Sequence, residues 1–206
     1  MGPMHTRRLL LLAPALLAPA LAALPRPASA QSAPTEVVER FHAALLGVMR
    51  NAQRLGIRGR NEQLTPVMDQ VFDLSAMTRI AAGANWANLS PDQRNTLTDA
   101  FRRWSIATYA SRFDGYSGES FQTVGTQTLA NGDTLVRTRL NRTDGDPVVL
   151  SYLLRGQPPR VVDVYLTGTI SELASRRSEF ATLIREGGAP RLIQELQSRT
   201  SRLLAA

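Results

Sequence analysis

The feature that most restricts the fold is a hydrophobic period that changes twice along the chain. From Pro34 to about Phe113 apolar residues recur at steps of three and four. From Glu119 to Thr167 they recur at steps of two, and from Ser171 the helical spacing returns. Helices that precede and follow an unbroken run of strands cannot form a parallel βαβ sheet. They predict an α+β domain: a curved four-stranded antiparallel sheet packed against about six helices.

The expected elements follow from local chemistry. Pro34–Gly56 reads as a first helix, with Val37, Val38, Phe41, Leu45 and Val48 at helical spacing. Asn61–Phe72 and Asp73–Ala82 read as two shorter helices, and Asp73 suits the N-cap between them. Ser90-Pro91-Asp92-Gln93 supplies an N-cap, a first-turn proline and a capping-box Gln for a helix running to about Phe113. Glu119–Leu129, Asp133–Asn141, Pro147–Arg155 and Arg160–Thr167 read as the strands, with turns at Asn131-Gly132 and Asp144-Gly145. Ser171–Glu186 and Ala189–Leu204 read as closing helices parted by Gly187-Gly188.

The helix beginning at Ser90 is apolar on two sides. Leu97, Phe101, Trp104 and Thr108 share one face, whereas Ile106, Tyr109 and Phe113 share the opposite one. A helix covering a core needs a single stripe. Two stripes imply a helix touched on both sides, or one side lining a cavity. Phe101, Trp104, Tyr109, Phe113, Tyr116 and Tyr152 suit such a lining, and each also suits ordinary core packing. Arg177 falls on the stripe made by Ile170, Leu173, Ala174, Ala181 and Ile184. It reads as a snorkelling side chain, or as the partner of Asp163 or of a headgroup at a pocket mouth.

The first thirty residues carry a separate message. His5, Arg7 and Arg8 precede an apolar run from Leu9 to Leu24 that contains Pro14 and Pro19 and leads to Ala28-Ser29-Ala30. A charged start, a short apolar run and a small-residue exit describe a secretory signal peptide over 1–30. A spanning helix wants about 20 uninterrupted apolar residues. Residues 31–206 are then the single folded domain. Removing Arg7, Arg8 and Arg26 lowers the formal charge from +7 to +4, all of the basic residues being arginine. Those charges are spread along the chain, so no nucleic-acid partner is expected. Contact with an anionic membrane surface remains compatible.

Composition narrows the chemistry further. The chain has no cysteine, and His42 is the one histidine after residue 30. That excludes a cysteine nucleophile and a thiolate or multi-histidine metal site, so neither metal nor cofactor is expected. Gly115-Tyr116-Ser117-Gly118 misses the G-x-S-x-G elbow by one residue, and Asp144-Gly145-Asp146 lacks the further ligands of a calcium loop. His42 is expected to be partly exposed on its amphipathic helix.

Phe101-Arg102-Arg103-Trp104 through Tyr109-Ala110-Ser111-Arg112-Phe113 resembles a helix of the MlaC, or toluene-tolerance, family of periplasmic lipid-binding proteins. Val161-Val162-Asp163-Val164-Tyr165-Leu166-Thr167-Gly168, followed by Ser171, Arg177 and Phe180, resembles that family's last strand and next helix. Phe113–Glu119 and Gly168–Phe180 are similar to the HpnM branch, associated with hopanoid biosynthesis loci. Arg160 stands where the family's last strand opens with Trp. The resemblance implies a carrier without catalytic residues that shuttles a phospholipid or hopanoid in the periplasm. Its implied partners are an inner-membrane transporter and an outer-membrane lipoprotein complex. It implies pocket roles for Trp104, Tyr109, Phe113, Val164 and Leu166. Strand phase and composition add Phe101, Tyr116, Val148, Leu150, Tyr152, Val162 and Ile170, with Arg177 at the mouth. Two rivals stand beside the carrier. One is a non-catalytic periplasmic adaptor. The other is a cone-fold enzyme of the dehydratase or isomerase type, for which Asp163 and Tyr165 are the nearest acid–phenol pair.

Overall fold

The structure, a computed structural model, describes residues 33–167 and 170–205. The signal-peptide reading of 1–30 lies outside the described residues. No described helix is long and apolar enough to cross a membrane.

Among the described residues, five α-helices and five strands make the domain. Helix α1 (Ala33–Arg50) buries Val38, Phe41, His42, Leu45, Val48 and Met49 on one side. It ends six residues before the expected Gly56. Helix α2 (Ala52–Val71) takes up the remainder and breaks at Gly56, whose φ of 58° only glycine adopts cheaply. Asp73 caps α3 (Leu74–Ala82), its carboxylate accepting from the Ala76 N–H at 2.9 Å. A 3-10 turn, Gly83–Asn88, leads to α4 (Pro91–Arg112), where both halves of the Ser90–Gln93 capping box form.

The strands are β1 (Ser120–Thr128), β2 (Thr134–Asn141), β3 (Val148–Arg155), β4 (Arg160–Leu166) and β5 (Ile170–Ser171). They form one antiparallel meander in the order β1-β2-β3-β4-β5. The expected four strands therefore become five. Strand β5 has two residues, too few for a period-two signal, and it runs straight into the helix that follows. The Asn131-Gly132 turn is present, with Gly132 at φ 85° and its N–H bonded to the Leu129 carbonyl. Arg137 and Arg139 are exposed while Val136 and Thr138, between and beside them, are buried.

Helix α5 (Glu172–Ala205) bends back on itself at Gly187 and Gly188, where the backbone leaves helical geometry. The two expected closing helices are thus two arms of one element, so five helices replace six. Arg199 joins the arms, donating to Glu195 on its own arm and to Glu179 on the other. Helices α2, α4 and α5 pack together through small residues on the back of α4; Ala100, Ala107 and Ala110 are all buried. The front of α4 faces the sheet, and the aromatic core lies between the two. Phe41 meets Phe72, Tyr109 and Tyr152 edge-on there, at ring separations of 4.8, 5.4 and 6.3 Å.

Candidate functional site: an apolar chamber between α4 and the sheet

Helix α4 presents Phe101, Trp104, Ser105, Thr108, Tyr109 and Arg112 toward the sheet, and Phe113 follows at its C-cap. At about 100° per residue these positions span roughly half of the helix circumference. Phe101 and Trp104 are buried at one end of that wall. Tyr109 and Phe113 stack in parallel at the other, 5.9 Å apart and 7° from coplanar. The intervening Ser105 and Thr108 are small. A core-packing stripe would carry large apolar side chains there; here the space stays open.

The result is a cavity of about 230 Å³. Leu140, Val148, Leu150, Tyr152, Val164 and Leu166 form its sheet wall. Met68, Phe72, Leu74, Met77 and Leu173 complete the apolar lining. Apolar cavities of roughly 150 Å³ stay dry and accept small hydrocarbons. This chamber exceeds that size, and Arg112 on its wall has a side chain that is 53% exposed. The charged residues on its wall, among the described residues, are Arg112, Glu172 and Arg176.

Of the residues expected to line a pocket, nine do so: Phe101, Trp104, Tyr109, Phe113, Val148, Leu150, Tyr152, Val164 and Leu166. The expectation that Tyr109 and Phe113 lie opposite Phe101 and Trp104 is corrected, because both pairs share the broad wall. Ile106 and the alanines take the back.

Four of the expected residues lie elsewhere. Tyr116 is 40% exposed, with the Arg50 guanidinium 5.1 Å from its ring centre. Ile170 is 55% exposed on β5. Val162 is buried but off the chamber, because a β-bulge separates Leu153 and Leu154 in the pairing with β4. Leu153 faces Asp163, Leu154 faces Val161, and Val162 is skipped. The bulge moves alternation by one residue, so Val161, not Val162, joins the core beside Leu154. Arg177 points away too, donating to the Ile80 carbonyl at 3.3 Å and lying against Gly83. The stripe of α5 runs through Leu173, Arg176 and Phe180 with Ala174 exposed, which puts Arg176 on the chamber wall in place of Arg177.

Sequence reasoning therefore missed both arginines of the chamber wall. The signal was present: Arg112 follows Phe101, Ser105 and Thr108 on one helical stripe, and Arg176 sits three residues after Leu173. Met68, Phe72, Leu74 and Met77 had no such signal, since their place depends on how α2 and α3 dock.

Asp163 does not pair with Arg177. Its carboxylate accepts from the Ser171 hydroxyl at 2.6 Å, the Val164 N–H at 2.8 Å and the Leu173 N–H at 3.4 Å. Ser171 in turn accepts from the Ala174 N–H at 2.9 Å. Asp163 thus ties β4 to the first turn of α5, the element that brings Glu172, Leu173 and Arg176 to the chamber. Asp163→Ala is expected to cost about 2 kcal/mol, because it strands donors that are buried together. Urea unfolding measures this; a change below about 0.5 kcal/mol counts against the tie. Tyr165 pairs across the sheet with Ser151 and Ser171. Neither it nor Asp163 lines the chamber, so the acid–phenol pair of the enzyme reading is turned away from it.

His42 is also corrected. It is buried, at 3% exposure, with its ring stacked on Phe121 at 3.9 Å and its Nε2 3.1 Å from the Tyr152 hydroxyl. Burial lowers its pKa to about 3. Burial also pushes the Tyr152 and Tyr109 phenols well above their ordinary value of 10. Near neutrality these groups stay uncharged, which suits a chamber wall and ill suits proton transfer.

Residues 39–198 match the family described as "MlaC protein". No curated protein matches the chain. The fold is similar to that of the phospholipid-binding protein from Ralstonia solanacearum, solved in complex with a phospholipid. The TM-score is 0.71 at 23% identity, covering 82% of this chain and 97% of that one.

Proposed function

The chain belongs to the MlaC family, and on that premise we propose that it is a non-catalytic carrier holding the apolar part of one membrane lipid in the chamber. The chamber itself carries this reading: about 230 Å³ of space walled by aromatic and aliphatic side chains, with Arg112, Glu172 and Arg176 as its charged lining. The phospholipid complex of the similarly folded Ralstonia protein supports it.

Burying acyl surface there contributes about 25 cal/mol per Å² removed from water, so retention needs no covalent step. Release then depends on a membrane or protein acceptor that offers an equally apolar site. Phospholipid and hopanoid are both compatible with the lining. The sequence over 1–30 supports export and work in the periplasm, with cleavage after Ala30. An inner-membrane transporter and an outer-membrane lipoprotein complex fit as donor and acceptor.

Mass spectrometry of the organic extract from protein purified out of its native source tests the reading. The expected result is one dominant lipid class in near-stoichiometric amount. Protein that is folded but free of lipid above background favours the adaptor instead.

A further inference from the structure

We propose that the free edge of β1 pairs with β1 of a second copy of this chain, antiparallel and centred between Val124 and Gly125. Strand β1 is nine residues long and bonds to β2 on one side only. Among the described residues, no backbone or side-chain group bonds to the backbone along its other side. Such an edge is a template for another strand, and proteins commonly guard it with charge, proline or a covering element. Residues Ser120–Thr128 include neither a charge nor a proline. Val124 in the middle is 50% exposed, and Gln122, Thr126, Gln127 and Thr128 are exposed beside it. The opposite edge of the sheet is guarded, because β5 has two residues and leads straight into α5.

The symmetry of the edge commits it to a second copy. Pairing about that centre sets Gln122 against Gln127, Thr123 against Thr126 and Val124 against Gly125 of the other copy. Neutral polar residues meet their own kind, and within the paired segment no like charges face each other. Thr123 donates its hydroxyl to Glu39 at 2.9 Å and keeps its acceptor side; Gln127 accepts from Arg137 at 2.6 Å and keeps its amide donors. Residues opposed across an antiparallel ladder have to share a face of the sheet. In an unbroken strand Gln122 and Gln127 would lie on opposite faces. Here a bulge between Thr123 and Gly125 moves the alternation by one residue. Gln122 and Gln127 therefore pair with Arg139 and Leu135, which share one face of β2. Thr123 and Thr126 pair with Thr138 and Val136, which are fully buried on the other. An edge bulge elsewhere turns a strand from its partners. This one sits on the two-fold centre, so both copies kink at the same place and their faces stay matched. No β1 side chain lines the chamber, so the pairing and the lipid site are separable.

Eight paired residues make an edge of about 27 Å. That is small for a permanent interface, so the dimer is expected to be reversible, with a Kd of about 10 µM. Sedimentation equilibrium of the purified protein from about 1 to 300 µM is expected to pass from monomer to dimer. Monomer throughout overturns the proposal. Val124→Lys sets two like charges beside the two-fold centre and is expected to weaken the dimer about tenfold or more. Its lipid content and unfolding midpoint are expected to stay unchanged, because the side chain is half exposed and off the chamber. Mixing it with Val124→Glu is expected to restore pairing as a heterodimer. A Val124→Lys dimer of full affinity, or a mixture that does not pair, overturns the edge assignment. The register has its own test, since the chain has no cysteine. Facing residues of an antiparallel ladder lie about 5 Å apart, within disulfide reach. Like positions at 122 or at 127 are held about 17 Å apart in this register. Mild oxidation of mixed Gln122→Cys and Gln127→Cys proteins is therefore expected to give the mixed cross-link in clear excess over either self-cross-link. Equal or stronger self-cross-linking overturns the register.

Discussion

Ser105→Trp is expected to lower lipid retention about a hundredfold while the protein stays folded. Ser105 lies on the chamber wall between the buried Phe101 and the half-exposed Arg112, and it is one of two small side chains that keep the space open. An indole there occupies the volume without removing any core contact. Blocking roughly 100 Å² of acyl burial removes about 2.5 kcal/mol, close to two factors of ten in affinity. Circular dichroism and the unfolding midpoint report on folding, and lipid extraction reports on occupancy. A folded variant with full lipid content places the ligand outside this chamber.

The second large effect is on acid stability. His42 is neutral and buried in the folded chain, with its pKa lowered from 6.5 to about 3. The unfolded chain binds a proton on this side chain below pH 6.5, and the folded chain does so only near pH 3. Between those values the unfolded state holds more protons, so stability falls as pH falls. His42 alone is expected to remove about 3 kcal/mol between pH 7 and pH 4. His42→Gln keeps a donor for the Tyr152 hydroxyl but does not titrate. Urea unfolding of both proteins at the two pH values isolates the histidine contribution, because the carboxylates are common to both. Parallel losses in the two proteins sink this account. Since Tyr152 is both the partner of His42 and part of the chamber wall, the same substitution also reports how firmly that wall is held.

Much of the fold was legible in the sequence. The Ser90 capping box, the Asp73 cap, the Asn131-Gly132 turn and the double glycine at 187–188 each act over a few residues, and each appears in the structure where local chemistry put it. The signals that failed were of two kinds. The two-residue β5 and the bulge at Val162 are too small to leave a period. The burial of His42 depends on Phe121 and Tyr152, which are distant in sequence.

The chamber divides along the same line. Its α4 and β3 walls were readable because a helix or strand declares which side is apolar. Alternation alone put Val162 on that wall, and one extra residue in β4 reversed it. Helical phase offered Arg176 and Arg177 as neighbours only 100° apart. Docking of α5 on α3 and α4 turned Arg176 to the chamber wall and Arg177 to the Ile80 carbonyl. The sequence by itself determined the element types, their order, their caps and the α+β class, because those follow from contacts along a single segment. Only the tertiary structure decided that the two-sided helix encloses a space, and which charges line it. Periodicity records that a face leaves water, and it carries no record of what that face meets or of how much room is left between.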